Sequence, residues 1–530
     1  MISNIVNMSQ AKFKYYRVYF GVISVFVLVL MIAGLAKIWF YFNSGADRSS
    51  ILNVPAILPE THVPKIKWLE DDAQTGREME EYSRQTIMRD YIRGWYAQNI
   101  SYMRGEPTGL KEYFTPAALT KVIHELKQIE KSDVQLQQTD IQHHIKLHYY
   151  SADGQIVSFT DKQLLLKQRI YSKETGKKVF NCDVLADYDV IMYLEDGYWR
   201  VKNWSRKKPT QLQADSIIIE KDKMVQVKNQ DFYLNNAPFI PKGVNYYPQK
   251  TPWSFFWTRY NSSTIKTDFA LIHQIGFNTI RIFVNFNDFN KGNVPPERLA
   301  QLKDLLDLAQ NNNLKVIVTL FDYVGDYHLI NMTSTDRQLE TLLTTFKKHE
   351  AILAWDLKNE PDLDFKSQDP EDVKDWLKWS IRQAKIYDPN HLITVGWAYP
   401  ENAHLLNENL DFVSFHSYKS PEELATGIET LKSKVNNKPL VLEEFGLSTY
   451  RGLWAPMGSS ETDQADYFAK VKAILQQKGN IPSVVWTLYD FTEVPENVVG
   501  KMPWNRNPQK NFGLITGQGK IKVGTKILVQ

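Results

Sequence analysis

Residues 352–361 read ILAWDLKNEP, and residues 438–446 read KPLVLEEFG. Each is a short apolar run that ends in acidic and polar residues, Asn359-Glu360 in the first and Glu443-Glu444 in the second. Working outward, runs of the same kind recur at Ile240–Val244, Thr279–Val284, Lys315–Phe321, Ile352–Lys358, Leu392–Trp397, Phe412–His416, Leu440–Glu444 and Val484–Leu488. Stretches with helical spacing separate them, such as Leu299, Leu302, Leu305, Leu306 and Ala309. Eight apolar strands alternating with amphipathic helices predict a parallel sheet buried on both faces and closed as a (β/α)8 barrel. An open doubly wound sheet is the competing reading, but no glycine-rich phosphate loop follows the first strand. Only KVGTKILVQ, residues 522–530, remains for the eighth helix.

A barrel of this kind carries its site at the C-terminal ends of its strands. Strand four ends at Glu360 and strand seven at Glu444, so two carboxylates should meet at one mouth. Glycoside cleavage needs this arrangement, with one carboxyl protonating the leaving oxygen while the other attacks the anomeric carbon. Strict strand alternation points Glu443 away from the mouth and makes it the control position. Aromatic residues crowd the loops after the strands: Trp253, Phe255, Phe256, Trp257, Tyr260, Tyr323, Tyr327, Trp397, Tyr399 and Trp454. One or two would serve as sugar platforms, and the rest would pack the loops.

With those residues in view, the segment from about 224 to 520 resembles clan A glycoside hydrolases, and family 5, the cellulases and β-mannanases, most closely. The match runs through Arg281 in NTIRIFV, Asn359-Glu360-Pro361, His416 and Tyr418 in FVSFHSY, Glu444 in EEFG and Trp486 in SVVWTLYD. The resemblance implies Glu360 as acid/base and Glu444 as nucleophile of a retaining mechanism on a β-linked polysaccharide of β-mannan or β-glucan type. Arg281 and Tyr418 would favour the ionised nucleophile, and the charge of Glu444 would keep a proton on Glu360. Asn359 would bind the sugar 2-hydroxyl, His416 would hold substrate or the acid/base, and Trp486 would floor the reacting sugar. Taken alone, Arg281 could equally be an interior ion pair and Trp486 a packing residue. The segment LFDYVGDYH (320–328) departs from the family, which often places a histidine just after strand three. No metal signature is visible, and no cofactor is expected.

The chain has 530 residues, a net charge of +3 and one cysteine, Cys182. That length predicts about three units. The absence of a long basic run gives no support to nucleic-acid binding, and a lone cysteine excludes an internal disulfide framework. Aromatic content is 13%, including 14 tryptophans, most of which are expected as core.

Residues 18–36 (VYFGVISVFVLVLMIAGLA) carry no charge, and Lys12, Lys14 and Arg17 precede them. This pattern predicts an uncleaved signal-anchor over 18–42, with residues 1–17 cytoplasmic. The remainder would be tethered on the extracytoplasmic side, periplasmic or extracellular. A cleaved signal peptide is the rival reading. Residues 43–71 read as a linker with Pro55, Pro59 and Pro64.

Residues 72–208 read as an α+β unit. Helical spacing through Met79, Tyr82, Ile87, Tyr91 and Trp95, and again over Leu110–Glu130, gives way to long strands with turns at Asp153-Gly154 and Asp196-Gly197. That layout and the ending LEDGYWRVKNW loosely resemble the cone of the nuclear transport factor family. His143, His144 and His148 suggest a metal, but no third ligand sits on the shared strand face, so surface or half-buried histidines are expected. Residues 209–223 form a second linker ahead of the barrel at 224–530. Two other functions fit the same segments: a tethered, non-catalytic glycan-binding or assembly protein beside envelope polysaccharide machinery, and a transglycosylase.

Overall fold

The computed structural model describes Leu28, Met31, Ile32 and residues 62–210 and 223–529. The first strand, β1 (Lys65–Trp68), lies in the stretch expected as linker. It pairs in parallel with β2 (Val134–Tyr150). Between them run helices Glu81–Arg104, Leu110–Tyr113 and Pro116–Lys131. The helical stretch expected to be continuous from Leu110 divides at Phe114-Thr115, because the residue before Pro116 is driven to extended backbone, with φ −66° and ψ 159° at Thr115.

Strands β3 (Ile156–Ser172), β4 (Lys178–Glu195) and β5 (Tyr198–Lys207) continue the sheet in antiparallel order. Asp196 and Gly197 join the last two with φ values of 52° and 82°, the doubly positive pair that a two-residue hairpin turn requires. Ile87, Tyr91 and Trp95 bury against Ile145, Leu147, Phe159 and Val190 to make this unit's core, whereas Tyr82 is exposed.

The membrane anchor requires correction. Residues 18–42 lie outside the described residues apart from Leu28, Met31 and Ile32. Among the described residues no helix is long and apolar enough to cross a membrane. The longest of them, Glu81–Arg104, is long enough for the ~20-residue span. It carries Glu81, Arg84, Arg89, Asp90, Arg93 and Arg104, whose charges hydrocarbon would not accept. The transmembrane element, the membrane as partner and the tethered extracytoplasmic placement are therefore withdrawn.

A small sheet of β6 (Gln226–Lys228), β7 (Asp231–Leu234) and β8 (Ala237–Pro238) precedes the barrel. Its Phe232, with Val225, joins Ile317, Leu353, Phe412, Val441 and Val484 in one apolar cluster. These are residues near the strand starts, so the little sheet plugs the end of the barrel away from the mouth.

The barrel strands are β9 (Lys242–Asn245), β10 (Thr279–Asn285), β11 (Lys315–Asp322), β12 (Ile352–Asn359), β13 (Leu392–Trp397), β14 (Val413–His416), β15 (Leu440–Glu444) and β16 (Ser483–Val485). They close in sequence order with β16 beside β9, and every pair is parallel. The short C-terminal helix Val523–Val529 completes the outer ring. Gly524 packs on Phe468, where a Cβ would come within 2.9 Å of the ring, and Lys242 Nζ donates to the Val529 carbonyl at 3.0 Å.

The two units dock along β3. Arg169 is fully buried and donates to the Tyr327 carbonyl at 3.1 Å while pairing with Asp372 at 3.2 Å. Arg382 reaches back from the barrel to Asp183 at 2.5 Å.

Candidate active site

Three strand pairs lose their regular register near the mouth of the barrel: β10–β11 at Phe283/Asn285, β12–β13 at Asp356/Asn359, and β14–β15 at Phe415/His416. In the last pair Phe415 faces Leu442 and His416 faces Glu444, which leaves Glu443 as an extra residue. A bulge of this kind breaks the two-residue alternation. Glu443 and Glu444 therefore both face the same interior, and Glu443 is not the outward-pointing control expected from alternation.

Arg281 on β10 organises the floor. Its guanidinium donates to Asp356 at 2.7 Å, Asn359 at 2.9 Å, Asn245 at 3.2 Å and Glu444 at 2.5 Å, and lies 3.7 Å from Glu443. Burial works against the charge, but the carboxylates of Glu443, Asp356 and Glu444 outweigh it and raise the pKa of Arg281 above its ordinary value. Asp356 accepts also from Thr319 and from the Gly396 amide. Burial and the neighbouring Glu443 charge push Asp356 up to about 6.

Glu444 ends β15 with only 6% of its surface exposed. Oε1 takes the Arg281 hydrogen bond and Oε2 accepts from the Tyr418 hydroxyl at 2.8 Å. Glu360 follows β12 in the left-handed region, φ 50° and ψ 50°, which turns the chain sharply at the mouth. Its amide donates to the Gly396 carbonyl at 2.7 Å. One oxygen of Glu360, one of Glu444 and a ring nitrogen of His416 all lie within 4.8 Å of one another. No other grouping of three or more His, Cys, Asp or Glu ligand atoms among the described residues is this compact.

His416 is fully buried between these acids. Nδ1 lies 3.0 Å from Glu360 Oε1 and 3.8 Å from Glu444, while Nε2 faces Glu443 at 3.9 Å. Burial alone would lower its pKa, but the charge of Glu444 and contacts to Glu360 and Glu443 push it up to about 10. Glu360 moves the opposite way. Burial raises it, yet the hydrogen bond and charge of His416, with Arg281 beyond, hold it below the usual carboxylate value. Glu360 and His416 thus shift in opposite directions, as a hydrogen-bonded carboxylate–imidazolium pair does, whereas the sequence reading expected the charge of Glu444 to raise Glu360.

The cleft above these groups has a volume of about 680 Å³. Trp486, Trp253 and Phe283 form an apolar wall of it, and the Trp253 and Trp486 rings lie 5.8 Å apart. Of the other loop aromatics, Tyr323 also lines the cleft, whereas Phe256, Trp257, Tyr327 and Trp397 are buried in packing. Trp454 is exposed beside Trp504.

All seven residues singled out from sequence, Arg281, Asn359, Glu360, His416, Tyr418, Glu444 and Trp486, lie in or directly beneath this cleft. Sequence reading missed Asn245, Asp356, Glu443, Lys358 and the structural part played by Asp322. Asp356 was accessible in principle, since a buried arginine requires a carboxylate partner. Asp322, at the end of β11, accepts from Asn359 at 3.4 Å and burial pushes it up to about 6. It stands where the departure after strand three was noted.

Of the histidines of the first unit, His144 and His148 are half-buried as expected, and only His143 differs. His143 is fully buried, at 3.0 Å from Asp140 and 2.6 Å from Asp161, and His148 pairs with Asp72 at 2.6 Å.

The chain is similar in part to several known glycosidases. The chain is 24% identical over 288 residues to mannan endo-1,4-beta-mannosidase A of Hypocrea jecorina, covering 42% of this chain and 63% of that protein. It is 23% identical over 300 residues to beta-glucuronidase of Felis catus, covering 52% of this chain and 42% of that protein. The chain thus spans less than two thirds of either relative. Among solved structures, an exo-beta-1,4-mannosidase from Opitutaceae bacterium strain TAV5 aligns with a TM-score of 0.48 at 19% identity, over 59% of this chain and 61% of that one. None of these matches supports the nuclear transport factor resemblance of the first unit, which is set aside. Residues 236–492 match the family model for cellulase (glycosyl hydrolase family 5), and the C-terminal half of the chain has a glycoside-hydrolase-like barrel fold with an acidic cluster at its mouth.

Proposed function

We propose that the barrel is a retaining β-glycosidase, with Glu444 as nucleophile and Glu360 as acid/base. The observation that carries the proposal is that one oxygen of Glu360 and one of Glu444 lie within 4.8 Å of each other. Retaining enzymes hold their pair at about 5–5.5 Å, and inverting ones at about 6.5–9.5 Å to admit a water. Arg281 and Tyr418 each hold one oxygen of Glu444 and fix it for attack at the anomeric carbon. As the glycosidic bond breaks, Glu360 protonates the leaving oxygen. The proton reaches Glu360 from His416 Nδ1 along their 3.0 Å contact, leaving His416 neutral. In the second half-reaction Glu360 takes a proton from the attacking water, the Glu444 ester is released, and His416 regains its charge.

The substrate proposed is a neutral β-linked polysaccharide of β-mannan or β-glucan type. Asp322, Glu360, Asp364 and Glu444 line the cleft against a single ammonium, Lys358, so the carboxylate of a uronic acid would meet like charge. Asn359, held by Arg281, is oriented toward a sugar 2-hydroxyl. Trp486 offers the flat apolar face.

The test is release of reducing ends from β-1,4-mannan and β-1,4-glucan. Glu444→Gln and Glu360→Gln should each lower kcat by at least about 10³-fold while the chain stays folded. A folded wild-type chain that releases nothing from either polymer contradicts the reading.

A further inference from the structure

The first unit contains a cavity of about 540 Å³ between the inner face of its sheet and helices Glu81–Arg104 and Pro116–Lys131. We propose that this cavity is a second saccharide-binding site, separate from the barrel cleft and sized for one or two neutral sugar rings.

Trp204 and Tyr188 stand on β5 and β4, and Trp95 stands on the first helix. The two indoles lie 4.7 Å apart, and Tyr188 meets Trp95 edge-on at 5.3 Å. Such a wall offers apolar faces to the C–H side of a sugar ring.

The polar half of the lining is held in fixed orientation by two relays. In one, Gln98 Nε2 donates to the Tyr102 hydroxyl at 2.6 Å, which donates to Glu125 at 2.9 Å. That direction fixes the Gln98 amide and leaves Oε1 as a buried acceptor without a partner. Gln98 is only 4% exposed, so the unmet acceptor is costly unless a ligand supplies a donor. In the other, Gln168 Nε2 donates to Gln138, Gln138 to Asn99, and Asn99 to Asp140. The Gln168 carbonyl oxygen then has only the weak Cys182 thiol at 3.8 Å.

The cavity therefore presents the oriented Gln168 acceptor to a ligand rich in hydroxyl donors, with the Gln98 acceptor lying just behind its surface. It carries one acid, Glu125, and one base, Arg206, a balance suited to an uncharged ligand. Alternate residues of β3 separate this site from the docking contact, because Gln168 lines the cavity while Arg169 faces the barrel.

The experiment is calorimetric titration of the full chain with cellobiose and with β-1,4-mannobiose. The barrel cleft is disabled by Glu444→Gln with Trp486→Ala, which also prevents turnover. The proposal expects one of the two disaccharides still to bind, and expects Gln98→Leu or Trp204→Ala on that background to weaken it at least tenfold. Gln128→Ala and Arg206→Ala, at exposed positions of the rim, supply variants that keep the core intact. Their thermal melting should match the parent, and at least one should weaken binding. Absence of residual binding by the folded, cleft-disabled chain overturns the proposal. Residual binding that all four variants leave unchanged also overturns it. Hydrolysis by the unaltered chain is scored separately, so an inactive barrel with a working cavity, or the reverse, tells the two proposals apart.

Discussion

Glu443 and Glu444 share the floor beneath one cleft, yet their surroundings differ. Glu444 has Arg281 and Tyr418 on its oxygens, whereas both oxygens of Glu443 are buried without a hydrogen-bond partner and face the Arg281 and His416 charges at 3.7 and 3.9 Å. Removing the Glu443 charge should make the His416 imidazolium less stable. If the His416–Glu360 pair stores the catalytic proton, activity falls on the alkaline side as that proton is lost, toward about 10 in the empty cleft. Glu443→Gln should then move the alkaline limb of the kcat/KM profile to lower pH, and a limb that stays in place contradicts the assignment. Tyr418→Phe removes one hydrogen bond to Glu444 and should cost roughly tenfold in kcat, a loss of about 1.5 kcal/mol. Asn359, Glu360, His416, Tyr418, Glu444 and Trp486 were legible because each ends, or lies just beyond, a strand with a recognisable neighbourhood, and Arg281 because it is the one charge inside the run TIRIFVN. Glu443 was misread because nothing in KPLVLEEFG marks a bulge. The opposite shifts of Glu360 and His416 depend on Nδ1 lying 3.0 Å from Glu360, a distance that sequence does not encode.

At the scale of the elements, β13 shows how tightly the floor is assembled. A Cβ at Gly396 would fall 2.8 Å from a Glu443 oxygen and 3.1 Å from both the Arg281 and His416 side chains. Gly396→Ala should therefore destabilise the chain by about 1–3 kcal/mol and depress kcat, measured by thermal melting and by kinetics on the same sample. An unchanged melting curve with full activity would show the floor to be looser than its contacts imply. The eight strands were readable from their apolar runs, since burial on both faces leaves little polar alternation. Their edges were less so. The first strand starts at Lys242 and not at Ile240, because Pro241 has no amide to give to a ladder and Ile240 is exposed. β1 escaped notice in a proline-bearing stretch, since its four residues, KIKW, alternate too briefly to register.

Across the whole molecule, the first unit and the barrel meet through charge pairs, Arg169 and Lys178 set largely buried against Asp372 and Asp375, and Arg382 set against Asp183 at the exposed edge. Within the first unit, His143 between Asp140 and Asp161 is raised to about 9; burial opposes the shift and the two carboxylates overcome it. A histidine raised on folding stabilises fully below its unfolded value of about 6.5 and loses that contribution as pH climbs through the folded one. The melting temperature of the first unit should fall between pH 6.5 and 9.5, and His143→Gln should flatten that slope in scanning calorimetry. A slope identical in the variant would remove His143 from the account. Docking of this kind was beyond the sequence, because Arg169 and Asp372 are 203 positions apart and neither lies in a distinctive pattern.

The most direct test of the two-carboxylate reading is the anomeric configuration of the first product released from a β-1,4-linked oligosaccharide, followed by proton NMR before mutarotation. Double displacement through Glu444 predicts that the β-anomer accumulates first. Initial release of the α-anomer, or undiminished turnover by the Glu444→Gln chain, would contradict it.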